Sequence, residues 1–275
     1  MFPRILVCDE FEEMFRGVAE IVHLVSGPRS HFLSSFGPNG PYEGTVALYR
    51  CNASSAVIGK LDAPLTHALA DTSKVCWIAQ SSSGYDKIDV QACKERGILV
   101  SNTPRANEDA TATTTLCLMI SCLRRFSMAE RSLRSGTWKT PCNAAQTDDI
   151  TGRTLGIFGL GDIGLRFARL VHAFPMRIVC FSRRKAESVP DWCEYVSSLE
   201  KLWKQADVLS LRVPFNQSTA GIIGEKEIRT LRRGSVLLNT SRGRTVDQEA
   251  MIRALEDGHL SSVGLDVYPD EPRVD

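Results

Sequence analysis

The chain has 275 residues, 43% of them hydrophobic and 24% charged, with a formal net charge of +1. That length allows two domains with real cores, and near-neutrality removes the electrostatic case for nucleic acid or an acidic membrane as partner. No stretch approaches the roughly twenty apolar residues of a membrane span, and the N-terminus turns acidic at Asp9 and Glu10, so neither a membrane segment nor a secretory leader is expected and the cytoplasm is the expected location.

Strand-like and helix-like segments alternate through the first hundred residues. Arg4 to Cys8, Thr45 to Tyr49, Val75 to Ala79 and Ile98 to Ser101 read as strands, with Val90 to Arg96 as a helix and the Gly-, Pro- and Ser-rich stretch from Ser26 to Gly44 as loop. After the break at Asn102-Thr103-Pro104, apolar residues at helical spacing predict one long helix from Asn107 to Ser135. A strand from Thr154, a helix over Leu165 to Ala173 and a strand from Arg177 to Ser182 follow. Further strands are expected at Val208 to Val213, Ser235 to Asn239 and Ser262 to Val267, separated by helices at Glu225 to Leu231 and Asp247 to Glu256. Such alternation gives parallel strands with right-handed crossovers. The fold class is therefore α/β, in two domains, the second a doubly wound parallel sheet that binds its ligand at the carboxyl ends of the strands.

Gly159, Gly161 and Gly164 stand between the first strand of that sheet and its helix, within the roughly 30-residue strand–helix–strand unit that the pattern GxGxxG requires. The first glycine permits a tight turn, the second lets the backbone approach a diphosphate, and the third packs the helix on its strand, so that a dinucleotide lies at the helix N-terminus. Asp162 places a negative charge there. It is expected to cap the helix and point away from the ligand.

An acidic residue commonly closes the second strand and accepts the ribose 2′-hydroxyl of NAD. This chain has Ser182, Arg183 and Arg184 at that place. A carboxylate would repel a 2′-phosphate, whereas a hydroxyl and guanidinium groups bind it, so NADP(H) is expected over NAD(H).

Nine cysteines are scattered without CxxC spacing and read as reduced, mostly buried small hydrophobes. No metal site is expected.

From about Val75 onward the chain resembles the D-isomer-specific 2-hydroxyacid dehydrogenase family, which includes glyoxylate and hydroxypyruvate reductases, D-mandelate-type dehydrogenases and corepressors. The motifs are Gly84 to Asp89 (Gly-Tyr-Asp-Lys-Ile-Asp), Asn102 to Pro104, the Gly159 to Gly164 fingerprint, Leu238 to Gly243 (Leu-Asn-Thr-Ser-Arg-Gly) and Gly264 to Pro272 (Gly-Leu-Asp-Val-Tyr-Pro-Asp-Glu-Pro). The resemblance implies a flavodoxin-like substrate domain over 1–103, a Rossmann dinucleotide-binding domain over 104–268 and a catalytic tail over 269–275. It implies hydride transfer between a nicotinamide and the C2 carbonyl of a small 2-ketoacid held in an interdomain cleft. Backbone amides at Ser83 and Gly84 would take the substrate carboxylate. Arg242 would grip carboxylate and carbonyl oxygen together, and Glu271 would hold a catalytic imidazole protonated. By the same resemblance Asp162 and Ile163 lie beside the diphosphate, Val213 and Pro214 border a ribose, and Thr240, Ser241 and Asp266 approach the nicotinamide. A homodimer closed through the nucleotide domain and the long helix is implied as well.

Three departures stand out. The family's proton donor is a histidine in a Pro-His context, and none of the four residues after Glu271 is histidine. His259 follows Gly258 in what resembles an ordinary helix-end turn, and His23, His31, His67 and His172 carry no motif. The chain therefore reads as truncated, and its expected behaviour is NADP(H) binding with poor reduction of ketoacids; the alternative is an inactive nucleotide-binding sensor, a corepressor-like module or a gene fragment. Ser82-Ser83 replaces a common Gly-Ala, and Arg212 replaces a common histidine or asparagine beside the coenzyme, where a further positive charge is expected to favour a phosphorylated nucleotide.

Overall fold

In the computed structural model, residues 13, 15, 17, 19–23, 28–51, 54, 58–137, 147–183, 189–271 and 273–274 are described. The chain divides into two compact units, Met1–Ala106 and Asn107–Asp275.

In the first unit, short β-rich runs pair as a parallel sheet in the order β1 (Ala47–Arg50), β2 (Trp77–Gln80) and β3 (Leu99–Asn102). Each begins one or two residues later than its hydrophobic run, because only the later residues find a ladder partner. The expected strand Arg4 to Cys8 lies outside the described residues. Among the described residues, three helices accompany the sheet: α1 (Arg29–Ser34), α2 (Ala63–Thr72) and α3 (Val90–Glu95). Carboxylates start two of them, Asp62 accepting from the Leu65 amide and Asp89 from the Ala92 amide, both at 3.0 Å. The loop expected over 26–44 contains α1. Phe32 and Phe36, one helical turn apart, pack with Tyr42 into a buried ring cluster that outweighs the turn-rich composition.

The second unit opens with α4 (Glu108–Arg124) and α5 (Phe126–Arg134) in place of one long helix. Arg125 breaks it with a left-handed backbone, φ 54°, and its amide closes the last turn of α4 on Ser121 and Cys122. Six parallel strands follow: β4 (Thr154–Phe158), β5 (Arg177–Phe181), β6 (Cys193–Tyr195), β7 (Val208–Leu211), β8 (Ser235–Asn239) and β9 (Leu260–Leu265). Their order is β6-β5-β4-β7-β8-β9. The crossovers carry α6 (Asp162–Val171), α7 (Leu199–Gln205), α8 (Glu225–Thr230) and α9 (Gln248–Glu256). The three-residue strand β6 and the helix α7, capped by the Ser198 hydroxyl, were not foreseen; both are too short to show a period.

Every residue of β4, β7 and β8 is buried, as a parallel sheet covered on both faces requires. Alternation along β4 splits the core. Leu155 and Ile157 face Phe167, Val171 and the α4 residues Ala112 and Met119, whereas Phe158 faces Leu202, Trp203 and Leu209. This order fixes a switch point between β4 and β7, where successive connections leave in opposite directions and open a crevice at the strand ends.

Among the described residues, Cys93, Cys122, Cys180 and Cys193 are buried free thiols, while Cys76 and Cys117 are exposed. No described helix is long and apolar enough to cross a membrane, and no described cluster of His, Cys, Asp and Glu could hold a metal.

Candidate active site

The turn after β4 is shaped by contacts that only glycine survives. Gly159 has φ 102°, and a Cβ there would lie 2.7 Å from the carbonyl oxygen of Arg212. Its amide donates to Phe181 across 2.8 Å, tying the turn to β5. A Cβ on Gly164, inside α6, would run into the carbonyl oxygen of Gly159. Gly161 differs: a Cβ there meets nothing within 4 Å. The open space lies in front of the first amides of α6, which have no intrahelical acceptors. A diphosphate fits this cradle, and a side chain at 161 would fill it.

Asp162 is exposed and Ile163 half-buried. The expected cap at Asp162 is corrected: Gly161 is the N-cap, without a side-chain cap bond, and Asp162 is already the first helical residue.

Ser182 follows the end of β5, half-buried, and its carbonyl oxygen accepts the Tyr195 phenol at 2.6 Å. Arg183 is exposed. Arg184 lies outside the described residues.

The ends of β7, β8 and β9 hold the other nominated residues of this unit. Val213 is buried; Pro214 is exposed and its carbonyl accepts the Thr219 hydroxyl at 2.7 Å. Thr240 is buried, 3.2 Å from the Thr115 hydroxyl of α4, and receives a hydrogen bond from Nη1 of Arg212. Asn239 organises the turn after β8. Its Oδ1 accepts from the amide and hydroxyl of Ser241 (3.0 and 2.8 Å), and its Nδ2 donates to the carbonyl of Arg242 at 2.9 Å. Arg242 is half-buried, with Nη1 on the Ser241 carbonyl at 2.7 Å, and Thr245 also bonds its carbonyl. The backbone carbonyl of Arg242 is thus held by both Asn239 and Thr245. Asp266 is exposed just past β9, its amide on Asn239 at 3.0 Å.

Glu271 is exposed and accepts the Tyr268 amide at 2.7 Å, a local turn bond. His259 sits at the start of β9, the end of the sheet opposite the glycine turn, its ring nitrogen 2.9 Å from the Ile228 carbonyl. His172 stacks on Trp192, ring centroids 4.2 Å apart.

Within the first unit, the Ser82–Gly84 turn is braced by its own hydroxyls. Ser82 Oγ donates to the Gly84 carbonyl at 2.7 Å, Ser83 Oγ to Thr103 at 3.1 Å, and Asn102 Nδ2 to the Ser83 carbonyl at 2.9 Å.

Arg212, expected beside the coenzyme, is joined here by Thr115, which was absent from the site nominated from sequence. Thr115 shares the buried face of α4 with Ala112 and Met119, and a hydroxyl on an apolar helix face was the available signal.

A family model described as "D-isomer specific 2-hydroxyacid dehydrogenase, NAD binding domain" matches residues 116–275. A 4-methyl-2-oxopentanoate reductase A of Aspergillus oryzae is 36% identical over 266 residues, covering 97% of this chain and 79% of its own. A glyoxylate reductase of Korarchaeum cryptofilum is 36% identical over 278 residues, covering 99% and 81%. The solved glyoxylate reductase of Paecilomyes thermophila superposes with TM-score 0.89 at 38% identity, covering 97% of this chain and 80% of that one.

Proposed function

We propose a coenzyme, a substrate class and a direction for this chain, which belongs to the D-isomer-specific 2-hydroxyacid dehydrogenase family: it is an NADPH-dependent reductase of small 2-oxo acids. Membership makes it an NAD(P)-dependent oxidoreductase acting on the CH–OH group of 2-hydroxy acids.

The observation that carries the coenzyme choice is the end of β5, where Ser182 and the exposed Arg183 stand in place of a carboxylate. Arg183 offers a forked, permanently charged donor to a 2′-phosphate, and Ser182 puts a hydroxyl where a carboxylate would repel it. Gly161 leaves the diphosphate its room, with Asp162, Ile163 and Gly164 beside it on α6 and Gly159 beneath. Val213 and Pro214 border a ribose; Thr240, Ser241 and Asp266 serve the nicotinamide end.

When bound, the coenzyme would supply hydride to the carbonyl carbon, and, with no histidine here in a Pro-His context, water would protonate the resulting alkoxide. Arg242 orients the 2-oxo acid and stabilises the oxyanion that develops, which its pinned backbone favours by holding the guanidinium's base in place before the reaction begins. Ser83 and Gly84 present amides to the carboxylate from a braced turn. Glu271 is the acidic residue of the same reading. Glyoxylate, the branched 4-methyl-2-oxopentanoate and, from a hydroxypyruvate reductase of Thermotoga maritima 39% identical over 199 residues, hydroxypyruvate span the substrate range that the relatives' names suggest. In this reading residues 1–103 are the substrate domain and the protein works in the cytoplasm as a homodimer. The exposed Phe126 and Leu133 of α5 support the dimer.

Loss of NADPH absorbance with these three acids tests the proposal. Turnover with NADPH above that with NADH supports it; no turnover with any acid, or a preference for NADH, overturns it.

A further inference from the structure

Arg212 immediately follows β7, and its side chain turns back into the protein. Its guanidinium carbon sits 5.1 Å from the ring centroid of Phe167 on α6, and Nη1 donates to Thr240. Nε and Nη2 are enclosed and have no hydrogen-bond acceptor among the described residues. A buried guanidinium with two unanswered donors is costly, and such groups are retained where a ligand uses them. Burial lowers its pKa to about 10, with Asp266 opposing the shift, so the group is still charged at neutral pH.

Sheet order says which part of a dinucleotide this charge meets. In the order β6-β5-β4-β7-β8-β9, each set of three strands forms one mononucleotide-binding half, divided at the switch point. Ser182 and Arg183 end β5 in the adenosine half. Arg212 ends β7 in the other half, with all of β4 between it and the 2′-phosphate residues, so the expectation that it favours a phosphorylated nucleotide is replaced. The two halves of the coenzyme differ in a way that matters here: the nicotinamide ring is cationic when oxidised and neutral when reduced.

We propose that Arg212 makes the nicotinamide half discriminate by oxidation state, accepting the neutral reduced ring beside its buried charge and repelling the cationic oxidised one. The inference rests on the coenzyme site described under Proposed function. Enclosure keeps water from screening the guanidinium, whereas the opposing carboxylate of Asp266 is exposed and screened. The consequence is directional: reduced coenzyme is held and oxidised coenzyme released, which suits a reductase.

Dissociation constants for NADPH, NADP+, NADH and NAD+, measured at pH 7 by calorimetry on the full chain and on Arg212→Met and Arg212→Lys, test this. In Arg212→Met the ratio of the NADP+ to the NADPH constant should fall about tenfold. The NAD+ to NADH ratio should fall alike, the NADPH-to-NADH preference should hold, and Arg212→Lys should keep the original ratios. Unchanged oxidised-to-reduced ratios in Arg212→Met overturn the inference, as does a changed NADPH-to-NADH preference. Arg212→Gln, neutral but able to keep the bond to Thr240, is read by the same criteria should the methionine variant not fold. Failure of the unaltered chain to bind any of the four overturns the coenzyme site itself, a result distinct from binding with unchanged ratios.

Discussion

The phenol of Tyr195, on β6, donates to the carbonyl oxygen of Ser182 across 2.6 Å and so holds the residue that follows β5 against the edge strand. Under the proposed coenzyme choice, selection depends on a residue that touches no coenzyme. In Tyr195→Phe one hydrogen bond is lost, worth about 1 kcal/mol. NADPH affinity should fall about fivefold with little effect on NADH, as calorimetry would read; equal losses for both coenzymes would show that the bond does not position Ser182.

Replacing the basic end of β5 should reverse the preference outright. The double variant Ser182→Asp with Arg183→Gln installs repulsion and removes attraction. Its NADPH-to-NADH ratio of kcat/KM should drop by about a hundredfold, equivalent to roughly 2.7 kcal/mol. A ratio that moves less than tenfold would place the 2′-phosphate elsewhere.

Arg242→Lys keeps the charge and loses the fork. Because the turn around Arg242 is set by Asn239 and Thr245 through the backbone, the variant should melt at the temperature of the unaltered chain. Its kcat/KM for a 2-oxo acid should fall by about 10²–10³, the usual loss for one oxyanion donor. Unchanged turnover would remove Arg242 from the site.

Gly243 packs its backbone onto Tyr268 and Pro269, with no room for a Cβ between them. Gly243→Ala should therefore cost about 2–3 kcal/mol and shift the segment that carries Asp266 and Glu271. Differential scanning calorimetry would register the loss, and NADPH affinity should weaken with it.

Arg212 links pH to stability with an unusual sign. A base whose pKa is lower in the folded protein than in the unfolded chain binds fewer protons when folded, so stability rises with pH around and above the folded value of about 10. Below that pH the buried charge is a standing cost. Arg212→Met should raise the melting temperature of the coenzyme-free protein by about 2–4 °C for each 1 kcal/mol recovered, and should flatten the rise in stability above pH 10. A lower melting temperature at neutral pH would mean that its contacts with Phe167 and Thr240 outweigh the desolvation.

How legible the molecule was depends on the kind of interaction involved. Strands β4, β7 and β8 stood out because a strand buried on both faces is apolar along most of its length, and Gly159 and Gly164 stood out because the backbone packed against them excludes side chains. Helix α1 was hidden by its turn-rich composition, and β6 by its length. The break at Arg125 was invisible because apolar spacing runs on through α4 and α5 while a single left-handed residue redirects the chain.

Local rules thus settled from the sequence what is periodic or sterically exclusive: the alternation of strands and helices, the glycine turn, and the basic residues that end β5. Strand order was decided only in the folded chain, because which strands become neighbours depends on how all the apolar faces are covered together. That order put Arg212 in the half of the sheet away from Arg183, enclosed it against Phe167 and Thr240, and left two of its donors unanswered. Burial and proximity between residues far apart in the chain are properties of packing, and no spacing along the sequence encodes them.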